Sequence, residues 1–169
     1  MSIHFNQETA VGKVLFNWWK GLEDDRASRA ILRRASTITA VSLTPPYQRL
    51  YRRLRGAGWA DETRSYHNDR LAAAIGLLSH VKQNDERALV KSMSQCEGAG
   101  DRPCVSELRF RRLLESPDLD ALFIGLRRVL PLMNHGVNVL GLANDLVHWG
   151  DDVKKRWAYS YEWPEKSKN

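Results

Sequence analysis

The feature that most constrains this chain is an arrangement repeated five times, in which neighbouring cations break into an apolar run: Arg33-Arg34, Arg52-Arg53, Arg111-Arg112, Arg127-Arg128 and Lys154-Lys155-Arg156. Each cluster sits among core-type residues: Ile31-Leu32, Leu50-Tyr51 with Leu54, Phe110 with Leu113-Leu114, Leu126 with Val129-Leu130, and Val153 with Trp157. Helices that bury one face and show cations on the other satisfy this pattern. A basic tail does not, because its charges would not be interleaved with residues that demand burial. Spread over several helices, the charge suits an extended polyanion, and the commonest long polyanion in a cell is nucleic acid.

The balance of 26 Lys and Arg against 20 Asp and Glu gives a net charge of +6 and favours a phosphate-bearing partner without requiring one. With 169 residues and 43% hydrophobic content, the chain has enough apolar material for one ordinary domain. We expect an all-α fold, a bundle of about eight or nine helices over residues 1–164. The stretch 98–104 is its boundary should it divide into two small lobes, and residues 165–169 are expected to form a disordered tail. No segment approaches 18 consecutive apolar residues, and the N-terminal MSIHFNQETAVGK lacks the charged and apolar regions of a signal peptide. The expectation is a cytoplasmic protein with no membrane partner. Cys96 and Cys104 match neither a zinc knuckle nor a disulfide-dense secreted scaffold, so they read as two reduced thiols.

Helical spacing runs from about Gln7 to Leu22 through Val11, Val14, Leu15, Trp18 and Trp19, with Gly21 near the end. A second segment, Asp24 to about Ile38, turns Ala27, Ala30, Ile31 and Leu32 inward and Arg26, Arg29, Arg33 and Arg34 mostly outward. Thr44 followed by Pro45-Pro46 is a cap with early prolines, tolerated where helical N–H groups lack acceptors, and this helix runs to Gly56. Further helices are expected over Thr63 to His80, from Asn84-Asp85 through Met93, from Ser106 to Leu114, after Ser116-Pro117-Asp118, and over Val137 to Trp149 and Asp151 to Trp163. Pro131 shortens or kinks the helix that precedes it. No alternating strand pattern is present.

Catalytic signatures are scarce. Asp145 and His148 lie three apart on one expected helix with Asp151 and Asp152 beyond Gly150, a spacing a metal would accept. Asp151 and Asp152 also serve as the acidic first turn of the last helix, and that ordinary role is preferred. A phosphate-cradling P-loop, a zinc-protease motif, a nucleophile elbow and a dinucleotide fingerprint are all missing. We therefore expect neither enzymatic activity, nor a resident metal, nor a cofactor. Trp18-Trp19, Tyr47, Tyr51, Trp59, Trp149, Trp157, Tyr159 and Tyr161 fall mainly on apolar faces and read as core before they read as base-stacking platforms.

Four stretches taken in order, FNWWKGL, RASRAILRRAS, PPYQRLYRRLRGAGW, and LRFRRLLESPDLDALFIGLRRVLPLM continuing to VNVLGLANDLVHWGDDVKKRWAYSYE, resemble the CasB family of small subunits of the type I-E CRISPR surveillance complex, Cascade. The resemblance spans most of the chain, and its specificity lies in order, spacing and length. It implies an all-helical, non-enzymatic subunit that self-associates head to tail beside the repeated backbone subunits and the large subunit. It also implies that the basic surface steadies the guide RNA, the target DNA and the displaced strand of the R-loop in antiviral defence. Sequence-independent phosphate tracking suits that role, because guide pairing carries the specificity.

The residues expected to contact nucleic acid are Arg33 and Arg34, then Arg49, Arg52 and Arg53, then Arg109 and Arg112, then Arg127 and Arg128, with Lys154, Lys155 and Arg156 ranked second. Doublet neighbours diverge by about 100° on a helix, so one member of each is free to pair with a local acid such as Glu115 or Asp118. Three alternatives stand beside this reading. A helical DNA-binding transcription regulator would use LPLMNHGVNVLGLANDLVHWG as its helix-turn-helix, with a second helix too apolar to read bases well. A metal-dependent hydrolase would use Asp145, His148, Asp151 and Asp152. A scaffold would meet only acidic protein partners.

Overall fold

In the computed structural model, which describes residues 3–59, 65–96, 98 and 100–165, the apolar periodicity resolves into ten α-helices, one 3-10 turn and two two-residue strands. The first four helices are α1 (Ala10–Gly21), α2 (Arg26–Arg34), α3 (Ile38–Ser42) and α4 (Pro45–Gly56). Each starts on a side chain that accepts from the first turn: Thr9 from the Gly12 N–H, Asp25 from Ser28, Thr37 from Ala40 and Thr44 from Tyr47. The helix expected over 24–38 therefore ends at Arg34, and α3, starting at Ile38, is a further helix that was not anticipated. Thr37 opens its own helix, and the short polar Ser36-Thr37 pair competes with the backbone ladder that would have joined them.

The centre of the molecule is α5 (Ser65–Leu78), where every residue from Leu71 to Ser79 is buried. A helix enclosed on all sides needs small residues where its neighbours cross, and Ala72, Ala73, Ala74 and Gly76 supply them. Against it pack α3, α8 (Leu119–Val129) and α9 (Val139–Val147). A Cβ on Gly76 would stand 2.8 Å from Val41 Cγ2 and 3.0 Å from Phe123 Cε2, so that glycine sets how closely α3 and α8 approach. The remaining helices are α6 (Leu89–Ser94), α7 (Glu107–Leu114) and α10 (Asp151–Ser160), and buried side chains from Phe5 to Tyr161 form one cluster. After α8 the chain tightens into the 3-10 turn Leu130–Met133, with Pro131 early in it, as the sequence reading anticipates.

The helix expected from Asn84-Asp85 begins only at Leu89, as α6, and Asn84 lies instead in a strand. β1 (Gln83–Asn84) pairs in parallel with β2 (Gly136–Val137), Gln83 opposite Gly136 and Asn84 opposite Val137. Two residues are too few to show alternation in a sequence. The turn into β2 carries Asn134 and His135 in the left-handed region, at φ 54° and 58°, and His135 Nδ1 lies 3.0 Å from the His80 carbonyl oxygen. Cys96 and Cys104 are brought side by side, their Cα atoms 5.8 Å apart and within the reach of a disulfide, where Gly98 and Gly100 take φ of 82° and 64° and turn the chain back on itself. Thr63, where α5 was expected to begin, and residues 166–169 of the expected tail lie outside the described residues.

Candidate nucleic-acid interface

Three of the expected cations meet where α7 packs on α8. Arg109 and Arg112, one turn apart on α7, and Arg128 near the end of α8 line an open cleft of about 610 Å³. Ser106 starts α7 by accepting from the Arg109 N–H, and Asp118 starts α8 by accepting from the Ala121 N–H, which sets where each rim begins. On α8 the cleft residues Ala121, Ile124, Gly125 and Arg128 share one face at helical spacing. The floor is apolar: Leu113 from α7, Pro117 from the linker, and Ile124, whose surface is 41% exposed. A Cβ on Gly125 would lie 2.8 Å from Leu113 Cδ2, so the missing side chain lets the helices close beneath the cleft.

The guanidinium groups of Arg109, Arg112 and Arg128 are exposed, and among the described residues none of the three enters a hydrogen bond or ion pair. The local pairing anticipated for one member of the Arg111-Arg112 doublet with Glu115 or Asp118 does not form among the described residues. Glu115 lines the cleft as its single carboxylate.

The divergence of doublet neighbours is plain at Arg127. It turns away from Arg128 toward α2, donates from Nη2 to the Arg33 carbonyl oxygen at 3.2 Å, and lies over the Phe123 ring at 5.7 Å. Arg33 and Arg34 are exposed at the end of α2. The positive band thus continues from the α7–α8 cleft across α8 to α2. His80 lies beside it, with its Nε2 buried and unpartnered. Burial first, then the charges of Arg127 and Arg33, pull the His80 imidazole down to about 4.

Arg29, read from the sequence as an outward cation, is a structural residue. Its Nε donates to the Ser79 carbonyl at 3.1 Å and its Nη2 to Val81 at 2.7 Å, finishing the C-terminal end of α5. Two further inward assignments on α2 also fail, since Ala27 and Ile31 are exposed and only Leu32 is buried.

The other expected cations fall into two separate groups. Arg49, Arg52 and Arg53 are exposed on α4, which packs against α1 and α2. On α10, Lys155 is exposed, Lys154 lies over the Trp149 ring at 5.9 Å, and Arg156 pairs with Asp145. Asp145 is buried and also accepts from Trp157 Nε1 at 2.8 Å. His148 Nδ1 sits 2.9 Å from the Asn144 carbonyl oxygen, and its ring stacks on His4 with centroids 4.5 Å apart. Asp145 and His148 are thus committed to packing. No group of His, Cys, Asp and Glu fit to hold a metal occurs among the described residues.

Nor does α9 offer a reading face for DNA. Val139, Leu140, Leu142, Ala143, Leu146 and Val147 are all buried, as their apolar character predicts. No helix of the described residues is long and apolar enough to cross a membrane.

What sequence reading missed was the cleft floor. Ile124 stands off the buried stripe of Leu122, Phe123, Leu126 and Val129, and an apolar residue off-stripe beside a glycine was the available signal.

The family model for CRISPR-associated protein Cse2 matches residues 28–161. Among solved structures, a chain of the E. coli Cascade complex crystallised with a PAM-containing double-stranded DNA target (32-nt spacer) aligns with a TM-score of 0.61 at 21% identity, covering 87% of this chain and 91% of that one. No curated protein matches the sequence.

Proposed function

The chain belongs to the CRISPR-associated Cse2 family, and on that footing we propose that it is a non-catalytic small subunit of a Cascade-type surveillance complex. In this reading it sits beside the repeated backbone subunits and the large subunit, self-associates head to tail, and holds the guide RNA, target DNA and displaced strand of the R-loop on its basic helix faces. The observation that carries the reading is the band formed by Arg109, Arg112 and Arg128 around one cleft and by Arg127 and Arg33 across the adjoining helices. The Arg109, Arg112 and Arg128 guanidinium groups, which have no hydrogen-bond or ion-pair partner among the described residues, are ready to fork onto phosphate oxygens, and each phosphate neutralised releases condensed counterions. Such a track is indifferent to sequence, which suits a complex whose specificity comes from base pairing.

The test assembles the guide-RNA complex with the wild-type subunit, without it, and with Arg109→Ala, Arg112→Ala and Arg128→Ala combined, and follows release of target DNA. Arg128 is preferred to Arg127 because Arg127 also ties α8 to α2. We expect faster release without the subunit and with the triple variant, at full incorporation. Release unchanged by an incorporated triple variant would exclude this face as the clamp.

A further inference from the structure

A phosphate track needs cations alone, yet the α7–α8 cleft pairs its cations with an open apolar floor. From this pairing we infer that the cleft is a nucleotide subsite. It takes the base of an unpaired nucleotide against Ile124, Pro117 and Leu113 while Arg109, Arg112 and Arg128 hold the flanking phosphates. The inference rests on the proposed function and adds to it a ligand class, single-stranded nucleic acid with its base turned inward.

Size, charge and surface chemistry each bear on the choice of occupant. At about 610 Å³ the cleft falls in the roughly 300–1,000 Å³ range of small-molecule sites, the scale of a single nucleotide. Its rim carries three guanidinium groups and one carboxylate, Glu115, which favours a ligand with more than one negative charge. Its floor offers no aromatic ring and, on Ile124, a side chain 41% exposed despite its cost in water. A base has a flat apolar face that covers such a floor, and guanidinium planes stack on bases as well as binding phosphates. Duplex phosphates would leave Ile124 in water. An acidic peptide would satisfy the rim, and it is the outcome that the experiment sets against a nucleotide.

In the assembled guide-RNA complex, release is compared for a target whose displaced strand is intact and one in which that strand carries a run of abasic sites. With the wild-type subunit, loss of the bases should speed release about three- to tenfold. With Ile124→Asn, which changes an exposed position and keeps all three arginines, the intact target should leave as fast as the abasic one. A photo-crosslinking amino acid at position 124 then identifies the occupant. Crosslinks to the displaced DNA strand, identified by labelling one strand at a time, support the subsite, and crosslinks only to the target strand or the guide RNA overturn it. Crosslinks only to a protein subunit overturn it in favour of an acidic polypeptide. A base-dependent difference that survives Ile124→Asn also overturns it. If the triple arginine variant still accelerates release in either case, phosphate tracking stands and only the base pocket falls.

Discussion

Removing the Arg156 guanidinium would leave the Asp145 carboxylate, buried beneath α10, with Trp157 as its remaining donor. A buried acceptor deprived of a charged partner costs about 1–3 kcal/mol, so Arg156→Ala should lower stability by that amount in denaturant titration. If Arg156 served nucleic acid alone, stability would not move. His80 gives a second test at this scale. Its imidazole titrates near 4 in the folded chain against 6.5 when exposed, so between those values the unfolded state binds the extra proton. Its contribution is present above about pH 6.5 and is lost as pH falls toward 4, and wild type should lose stability to His80→Gln across that window in thermal melts. The exposure of Arg33, Arg34 and Lys155 was legible from their spacing against buried neighbours. The interior duties of Arg29 and Arg156 were not, because their partners lie 50 and 11 residues away in sequence.

Among the elements, α4 was the most legible. Thr44, Pro45-Pro46 and Gly56 mark its ends with local chemistry, and the observed helix keeps the expected bounds. The break between α2 and α3 and the strand at Gln83–Asn84 were missed for opposite reasons. Thr37 is an ordinary residue until its hydroxyl accepts from Ala40, and a two-residue strand exists only because β2 comes alongside. On α5, Gly76 faces Val41 and Phe123 from the helices that cross it. Gly76→Ala gains about 1 kcal/mol in helix propensity. It loses more if α3 and α8 cannot retreat, since overpacking costs about 1–3 kcal/mol. We expect net destabilisation, read as a lower urea midpoint with an unchanged slope. A stabilised Gly76→Ala would mean that the crossing has slack.

For the molecule as a whole, the relevant quantity is how many phosphates the assembled band neutralises together. Arg109, Arg112 and Arg128 each release counterions from a single strand, so the triple alanine variant should lower the slope of log affinity against log salt by about 2. A slope that stays put would show that these cations face away from nucleic acid in the complex. The comparable removal of Lys155 tests the separate α10 group and should change the slope by less than 1. The all-helical class, the positions of most helices and the outward display of cations followed from the sequence, because periodicity and capping are read along the chain one turn at a time. Which cations stand together was decided by the tertiary structure. Arg128 joins Arg109 and Arg112 only because α7 folds back on α8, and Arg127, one residue earlier and about 100° around the same helix, is carried instead to α2. Local patterns fix which side of a helix seeks water, whereas the neighbour that shares that side is set by how the buried faces close around α5.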